Sequence, residues 1–427
     1  MTGRSEIYRY EAGVLPIGRL LGDEPALVGV DTDECVVGGV TGEPGSGKTE
    51  LALVQLAHVA LVEQAGALFI DSDATAIGRI KPYLTGVADR VVELDLTRGV
   101  DTTHVAWNLL STEGLEQVEA RASAVVEGFA AGAGWSARTD PRLLGILDSA
   151  VRSLLYAGLR LPAELQPTIF TLTRLLTDET WRNATLSCLP DDLVRFWTTT
   201  YTALPRDAAG PLCQLLERLR SNPVVEATFG SPQSTYDPRR AMDDQQIVLA
   251  CPPRDQARLV SSLVMFGHID AARSRRDIPA GERPIAYWWV DGALVDLTRG
   301  SAAVVEQARK LGLRTVWIRA QSTRGASDDL WAVSQPSRPA ASLGAAGEDW
   351  VAVAGGMDGP WPWSYVLQRP YGVGLAGVPL HEFWEADGHP DPVDDLNDSI
   401  DLACRPRTVR QTLALIEGHG DRILEAL

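Results

Sequence analysis

The sequence predicts an α/β fold whose mostly parallel sheet is interrupted by a long all-helical insertion. Three observations predict it. Short, nearly continuous apolar runs recur at Cys35–Val40, Ala67–Asp71, Val91–Asp95, Ile247–Cys251, Ile285–Asp291 and Thr315–Gln321. Strands covered on both faces read this way, and parallel sheets need such cover. Between the third and fourth runs, from about Ser111 to Gly230, only helical periodicity is present. After the first run comes Gly42-Glu43-Pro44-Gly45-Ser46-Gly47-Lys48-Thr49, which meets the phosphate-loop pattern G-x-x-x-x-G-K-[ST] at every constrained position.

Taken in chain order, residues 1–34 are a mixed lead-in bearing Gly and Pro, with room for one or two edge strands. The strand Cys35–Val40 then feeds the phosphate loop. Its glycines let the backbone curl so that successive N–H groups face a β-phosphate. Lys48 is one of three lysines in the chain; at this place it reaches β- and γ-oxygens, and the Thr49 hydroxyl ligates Mg²⁺. Thr49–Gln64 has the apolar spacing of a helix. The next strand ends at Asp71, with Asp73 close behind; both are ordinary turn formers that also stand where a magnesium ion can be approached. In the helical block, Asp140-Pro141 supplies an N-cap and first helical residue. Further helices are expected over Pro167–Leu176, Asp191–Thr199 and Ala208–Arg220.

Ile285–Asp291 is an apolar strand ending in aspartate, the form of a Walker B strand whose carboxylate holds Mg²⁺ through a water, opposite Thr49. Hydrolysing enzymes of this kind usually place a glutamate next, to orient and deprotonate water. Here the next residue is Gly292, and Glu43, Asp296 and Glu306 are remote substitutes. Gln321 ends the following strand, where a polar side chain can sense the γ-phosphate. Arg309-Lys310 precedes that strand and is placed to serve a neighbouring subunit as an arginine finger, or to be a solvated helix end. The organisation expected is residues 1–110 as the lead-in and first half of the core, 111–235 as the insertion, 236–385 as the second half, and 386–427 as an acidic linker and C-terminal helix.

Composition sets limits. A formal net charge of −17 excludes a generally DNA-coating surface, though not DNA in a narrow basic channel. Five scattered cysteines without C-x-x-C spacing argue against a metal or disulfide framework and fit a reducing cytoplasm. No run reads as a membrane span, so any membrane recruitment would come through partners. Of twelve tryptophans, those at 107, 181, 197, 288 and 317 read as core, while Trp361-Pro362-Trp363 marks a candidate partner surface. Arg273–Arg276 with Arg283 is the best local basic patch.

Several landmarks stand in an order that resembles the HerA/FtsK superfamily of ring-forming motors, and within it the TraG/TraD-type coupling proteins of conjugative type IV secretion. The loop is followed by Asp71-Ser72-Asp73-Ala74-Thr75, where the family has an Asp-Pro-Lys-Gly-Asp-like turn. Trp107-Asn108-Leu109-Leu110 resembles its Asn-Pro-Leu element. Leu175–Asp178, Trp181-Arg182 and Phe196-Trp197 resemble parts of its helical insertion, and Ala308–Gly312 its Arg-Lys-Tyr-Gly segment. The resemblance implies a RecA-like P-loop NTPase core binding ATP and Mg²⁺. It also implies a homo-oligomer, a hexamer by family precedent, with nucleotide at subunit interfaces, DNA in a central channel and conjugation or secretion proteins as partners. The catalytic set expected is Lys48, Asp291, Gln321 and Arg309. Two alternatives stay open: a non-hydrolysing assembly or regulatory subunit, favoured by Gly292, and a small-molecule kinase, disfavoured by the size of the insertion.

Overall fold

The computed structural model describes residues 11–20, 27–72, 74–115, 117–291, 308–320, 350–355, 364–369, 373–381 and 406–427. The chain divides into two compact units. One comprises 1–92, 239–250 and 272–401, and the other 93–238, 251–271 and 402–427.

An eleven-stranded sheet lies mostly in the first unit. Its strands are β1 Val14–Leu20, β2 Leu27–Asp31, β3 Val37–Gly42, β4 Gly66–Ile70, β5 Val91–Asp95, β7 Ile247–Cys251, β8 Ala286–Asp291, β9 Leu313–Ala320, β10 Trp350–Gly355, β11 Ser364–Arg369 and β12 Val373–Ala376; β6 is the short Thr103–His104 strand outside this sheet. The order is β2-β1-β12-β11-β10-β3-β9-β8-β4-β7-β5. Six consecutive members, β10 to β7, run parallel, and β11, β12, β1 and β2 extend the sheet antiparallel. The expected α/β class with a mostly parallel sheet is the observed one. β3, β4 and β7 are buried throughout, which is why their sequences are apolar without alternation.

Local departures from the sequence reading have physical causes. The first core strand spans Val37–Gly42, two residues further on than expected. It is paired on both sides, so its ladder runs on until Gly42 lies opposite Ala320 and Ala354. The helix after the loop is α1, Lys48–His58, which passes into a π-helical turn at Val59–Glu63 and stops at Gln64 with φ 52°. Every residue from Glu50 to His58 is buried. Strands β10 (WVAVAG), β11 (SYVLQR) and β12 (VGLA) had no counterpart in the sequence reading; β10 and β12 are short and rich in Gly and Ala.

The second unit is helical: α3 Val118–Ala133, α4 Pro141–Gly158, α5 Thr171–Thr177, α6 Glu179–Thr185, α7 Asp191–Arg195, α8 Gly210–Arg220 and α9 Pro223–Gly230. Asp178 caps α6 through Thr180 and Trp181 amides, and Asn222 caps α9. Asp140 occupies the N-cap of α4, but its carboxylate accepts from Ser136 N and the Thr139 hydroxyl, so it closes the preceding turn rather than the helix. The Asn108 side chain donates to the Pro167 and Pro232 carbonyls and accepts from Leu110 N, bracing the loop around it. The C-terminal helices belong to this unit: Trp181 Nε1 donates to Gly420 O, and His419 bonds Gln166 O. Trp107, Trp181, Trp197, Trp288 and Trp317 are all core residues, so none of these five presents a base-stacking face. Trp361-Pro362-Trp363 lies outside the described residues.

Candidate nucleotide-binding site

All six parallel strands point their carboxyl ends to one edge of the sheet, and ligands of such sheets collect there. β3 delivers the loop Gly42–Thr49 to that edge and β8 delivers Asp291. β9 lies between them, with Gly42 opposite Ala320 and Asp291 opposite Ile318. Two strand spacings separate the loop strand from the aspartate strand by about 10 Å, a gap that phosphates and a small cation can fill.

The loop has the backbone its glycines were expected to provide. Gly45 has φ 79° and Gly47 φ 91°, in the left-handed region where a Cβ is strained. Gly42 is needed for a different reason: a Cβ there would lie 2.6 Å from Ala354 O and from Ser46 Oγ. Lys48 opens α1 and folds its ammonium over the loop, donating to Gly42 O at 2.8 Å and Glu43 O at 2.7 Å. Partial burial pulls the Lys48 pKa below the ordinary lysine value, and the charges of Asp291 and then Glu43 oppose that shift. Asp291 is thus close enough to the loop for its charge to favour the protonated lysine. Glu43 and Pro44 are exposed at the loop tip, and Thr49 is half-buried in the first turn of α1.

The residues fit a magnesium nucleotide. Ser46 is 3% exposed and its Oγ has no hydrogen-bond partner among the described residues. A buried orphan hydroxyl inside a loop of left-handed glycines, at the amino end of a helix, matches an anionic ligand. Thr49 and Asp291 are the oxygen donors that suit Mg²⁺. No group of three His, Cys, Asp or Glu among the described residues converges on a metal position. An ion held here would draw its remaining ligands from phosphate and water, as Mg²⁺ does.

Glu50 was missed by sequence reasoning. Directly after Thr49 and 4% exposed, its carboxylate pairs with Arg79 of α2 (Ala74–Ile80) and accepts from Leu380 N at 2.9 Å. A lone acid on an otherwise apolar helix start was the available signal. Asp71 extends β4 at the same edge, one position past Ile70, which pairs with Val290. Gln321, Gly292, Asp296, Glu306 and Asp73 lie outside the described residues. Arg309 is not brought to this edge. It precedes β9, whose eight residues put it about 25 Å away along the strand, and its guanidinium donates to Glu34 O at 2.8 Å.

The expected basic patch is a structural network instead. Arg275 is fully buried, with Nε 2.8 Å from Asp243 Oδ1 and Nη2 donating to Pro284 O. Arg283 is held by the Arg275 and Ile278 carbonyls. A cavity of about 660 Å³ in the second unit, lined in part by His104, Glu113, Gln166 and Arg407, contains none of the predicted site residues. Both ring nitrogens of its buried His104 are closed off from solvent, and the Gln166 amide is consumed by Thr112, Gly158 and Leu161. Among the described residues no helix is long and apolar enough to cross a membrane.

No protein-family model matches the chain, and no curated protein matches it by sequence. Solved structures do. The chain is similar in fold to the plasmid coupling protein TrwB in complex with ADP and Mg²⁺, at 16% identity and a TM-score of 0.50. It is equally similar to TrwB with the GTP analogue GDPNP, at 17% identity and TM-score 0.51, and with the ATP analogue ADPNP, at 16% and 0.51. Each comparison covers 84% of this chain and 81% of the other. The likeness is one of fold: a P-loop NTPase core with a helical domain.

Proposed function

We propose that this chain binds a magnesium nucleotide at Gly42–Thr49, and that nucleotide binding and turnover in a ring of subunits move DNA, as in a conjugation-type translocase. The observation that carries the nucleotide half is the shared sheet edge: left-handed Gly45 and Gly47, Lys48 poised on the loop carbonyls, and Asp291 acting on that lysine from two strands away. Lys48 binds phosphate oxygen and the loop amides surround it. Thr49 and Asp291 hold the metal, whose chemistry is to screen phosphate charge. Gln321, the next residue in sequence after β9, reports nucleotide state, and Arg309 serves the site of an adjacent subunit.

The translocase half rests on the order of sequence landmarks together with a fold similar to a coupling protein. ATP turnover measured with and without DNA, alongside the oligomeric mass with ATP bound, tests it. DNA-stimulated hydrolysis by a ring is the expected result; ATP binding without turnover would remove the motor.

A second reading is favoured by one specific feature, Gly292 in the place of the usual glutamate. On that reading the nucleotide fixes a conformation or an assembly and is not consumed. Gly292→Glu separates the two: strong activation of a silent wild type indicates an otherwise intact site, and no change indicates a dedicated switch.

A further inference from the structure

Helix α1 starts with the phosphate-binding lysine and strand β8 ends with the metal-binding aspartate, yet the sheet order keeps β8 apart from β3, with β9 between them. The ladders through β9 fix their register, and one buried side chain ties α1 to β8 directly. Gln55, on the second turn of α1, is 0% exposed, and its Oε1 accepts from Trp289 Nε1 at 3.0 Å. Trp289 is also 0% exposed and lies two residues before Asp291 on the same strand. The Gln55 Nε2 donates in turn to Pro16 O of β1 at 2.8 Å. The amide therefore has an enforced orientation: its oxygen must face the indole and its nitrogen must face the carbonyl. Tyr287, two residues earlier on β8, stacks on Trp289 with ring centroids 6.0 Å apart and planes 17° apart. The indole is thereby held from a second side.

We infer that Gln55 is a positioning residue that sets Asp291 against the phosphate loop, so that it governs how strongly Mg²⁺ improves nucleotide binding. This rests on the nucleotide reading above. The physical argument is that a metal held jointly by Thr49 and Asp291 is sensitive to their separation, because Mg²⁺ demands near-ideal octahedral geometry. A nucleotide held by the loop and Lys48 alone does not sense where β8 lies. A buried polar group that loses its partner repacks toward another. Removal of the Gln55 acceptor therefore lets Trp289 repack and with it the strand end that carries Asp291, while the ladders on either side of β8, the loop, its glycines and Lys48 stay in place.

The test is ATP affinity by calorimetry in excess Mg²⁺ and in EDTA, on the full chain, for wild type, Gln55→Leu and Trp289→Phe. The wild type is expected to bind ATP more tightly with Mg²⁺. In each variant that Mg²⁺-linked gain falls about tenfold, or 1.4 kcal/mol, while affinity in EDTA stays within about threefold. The Gln55→Leu/Trp289→Phe double variant loses no more of the Mg²⁺-linked gain than Gln55→Leu alone, which already breaks the bond to Trp289 as well as the one to Pro16 O. A merely structural role would lower the melting temperature and leave the Mg²⁺-linked gain at its wild-type value, and that result overturns the inference. Equal losses with and without Mg²⁺ overturn it too, because the loop itself would then depend on Gln55. Trp289→Phe keeps an aromatic ring against Tyr287 while removing the indole donor, and guards against a Gln55 variant that fails to fold. If wild-type protein shows no Mg²⁺ dependence at all, the assignment of Asp291 fails first, and that failure is distinguishable from failure of Gln55 alone.

Discussion

The two edges of the parallel sheet in the first unit treat their charged groups in opposite ways. At the amino edge the protein pairs its own cations. Arg275 is matched by Asp243, Arg239 binds Asp277 with both carboxylate oxygens in reach, and Arg283 is bound by backbone carbonyls. At the carboxyl edge Lys48 is held by carbonyls, which bear no net charge, and the buried Ser46 hydroxyl has no partner among the described residues. One edge is finished as a solid; the other is assembled for a ligand. Charge density alone could not have separated them, since the Arg-rich stretch 273–283 is the more basic of the two in sequence.

The largest expected effect comes from breaking the finished edge. Asp243→Ala strands the fully buried Arg275 guanidinium, and removing one member of a buried pair costs about 3–5 kcal/mol. Urea unfolding should register that loss while ATP affinity of the remaining folded protein is unchanged. A fall in ATP affinity of the folded fraction would mean that the two edges are not independent.

The same principle of self-satisfaction holds in the second unit and gives a pH dependence. His268 is buried, its Nδ1 bonds Val264 O at 2.7 Å, and its Nε2 meets the Tyr236 hydroxyl at 2.6 Å, with Trp107 packed edge-on. Nδ1 must carry the proton toward the carbonyl, so Nε2 accepts from Tyr236, and the ring is neutral. Burial pushes its pKa down to about 4 from 6.5, against a small opposing pull from Val264 O and Asp237. The folded pKa is the lower one, so the unfolded chain binds the extra proton. Stability is complete above about pH 6.5 and declines as pH falls toward 4, by about 3 kcal/mol over the window. His268→Gln should flatten that slope in unfolding free energy measured from pH 7 to 4. An unchanged slope would assign the acid sensitivity elsewhere.

Next in size is the opened edge. Lys48→Ala should weaken ATP binding about 100-fold, roughly 2.8 kcal/mol, with little change in melting temperature, because the lysine bonds to loop carbonyls at the surface of the site. Substantial unfolding instead would show that the lysine closes the loop structurally, and the contrast between edges would weaken.

Much of the first unit was legible in sequence because strands buried on both faces have no choice but to be apolar. The loop was legible because left-handed glycines at Gly45 and Gly47 and a lysine at fixed spacing leave few other purposes. Asp291 was legible from its place at the end of an apolar strand. What could not be read were side-chain partnerships across large separations. Gln55 with Trp289 and Glu50 with Arg79 are polar residues on a helix that pattern alone marks as core. Arg275 looks like surface charge until Asp243, far earlier in the chain, is placed beside it. Strands β10 and β12 escaped notice because their Gly and Ala residues carry no periodic signal.

The smallest effect is expected at Arg309, and it bears most directly on what the two edges do together. Its guanidinium is exposed, stands at the amino edge and donates to Glu34 O. Within one protomer it lies a full strand length from the loop. Arg309→Ala should therefore change ATP affinity of the dissociated protein by less than about twofold and stability by less than about 0.5 kcal/mol. If subunits stack so that one protomer's amino edge meets another's carboxyl edge, the same variant will lower ATP turnover of the assembled ring without altering binding, as loss of an arginine finger does. Measuring both quantities on one preparation, below and above the assembly concentration, separates the cases. A tenfold loss of affinity in the dissociated protomer would place Arg309 at its own nucleotide and erase the distinction between the edges; loss confined to turnover in the ring would turn that distinction into the route by which one subunit acts on the next.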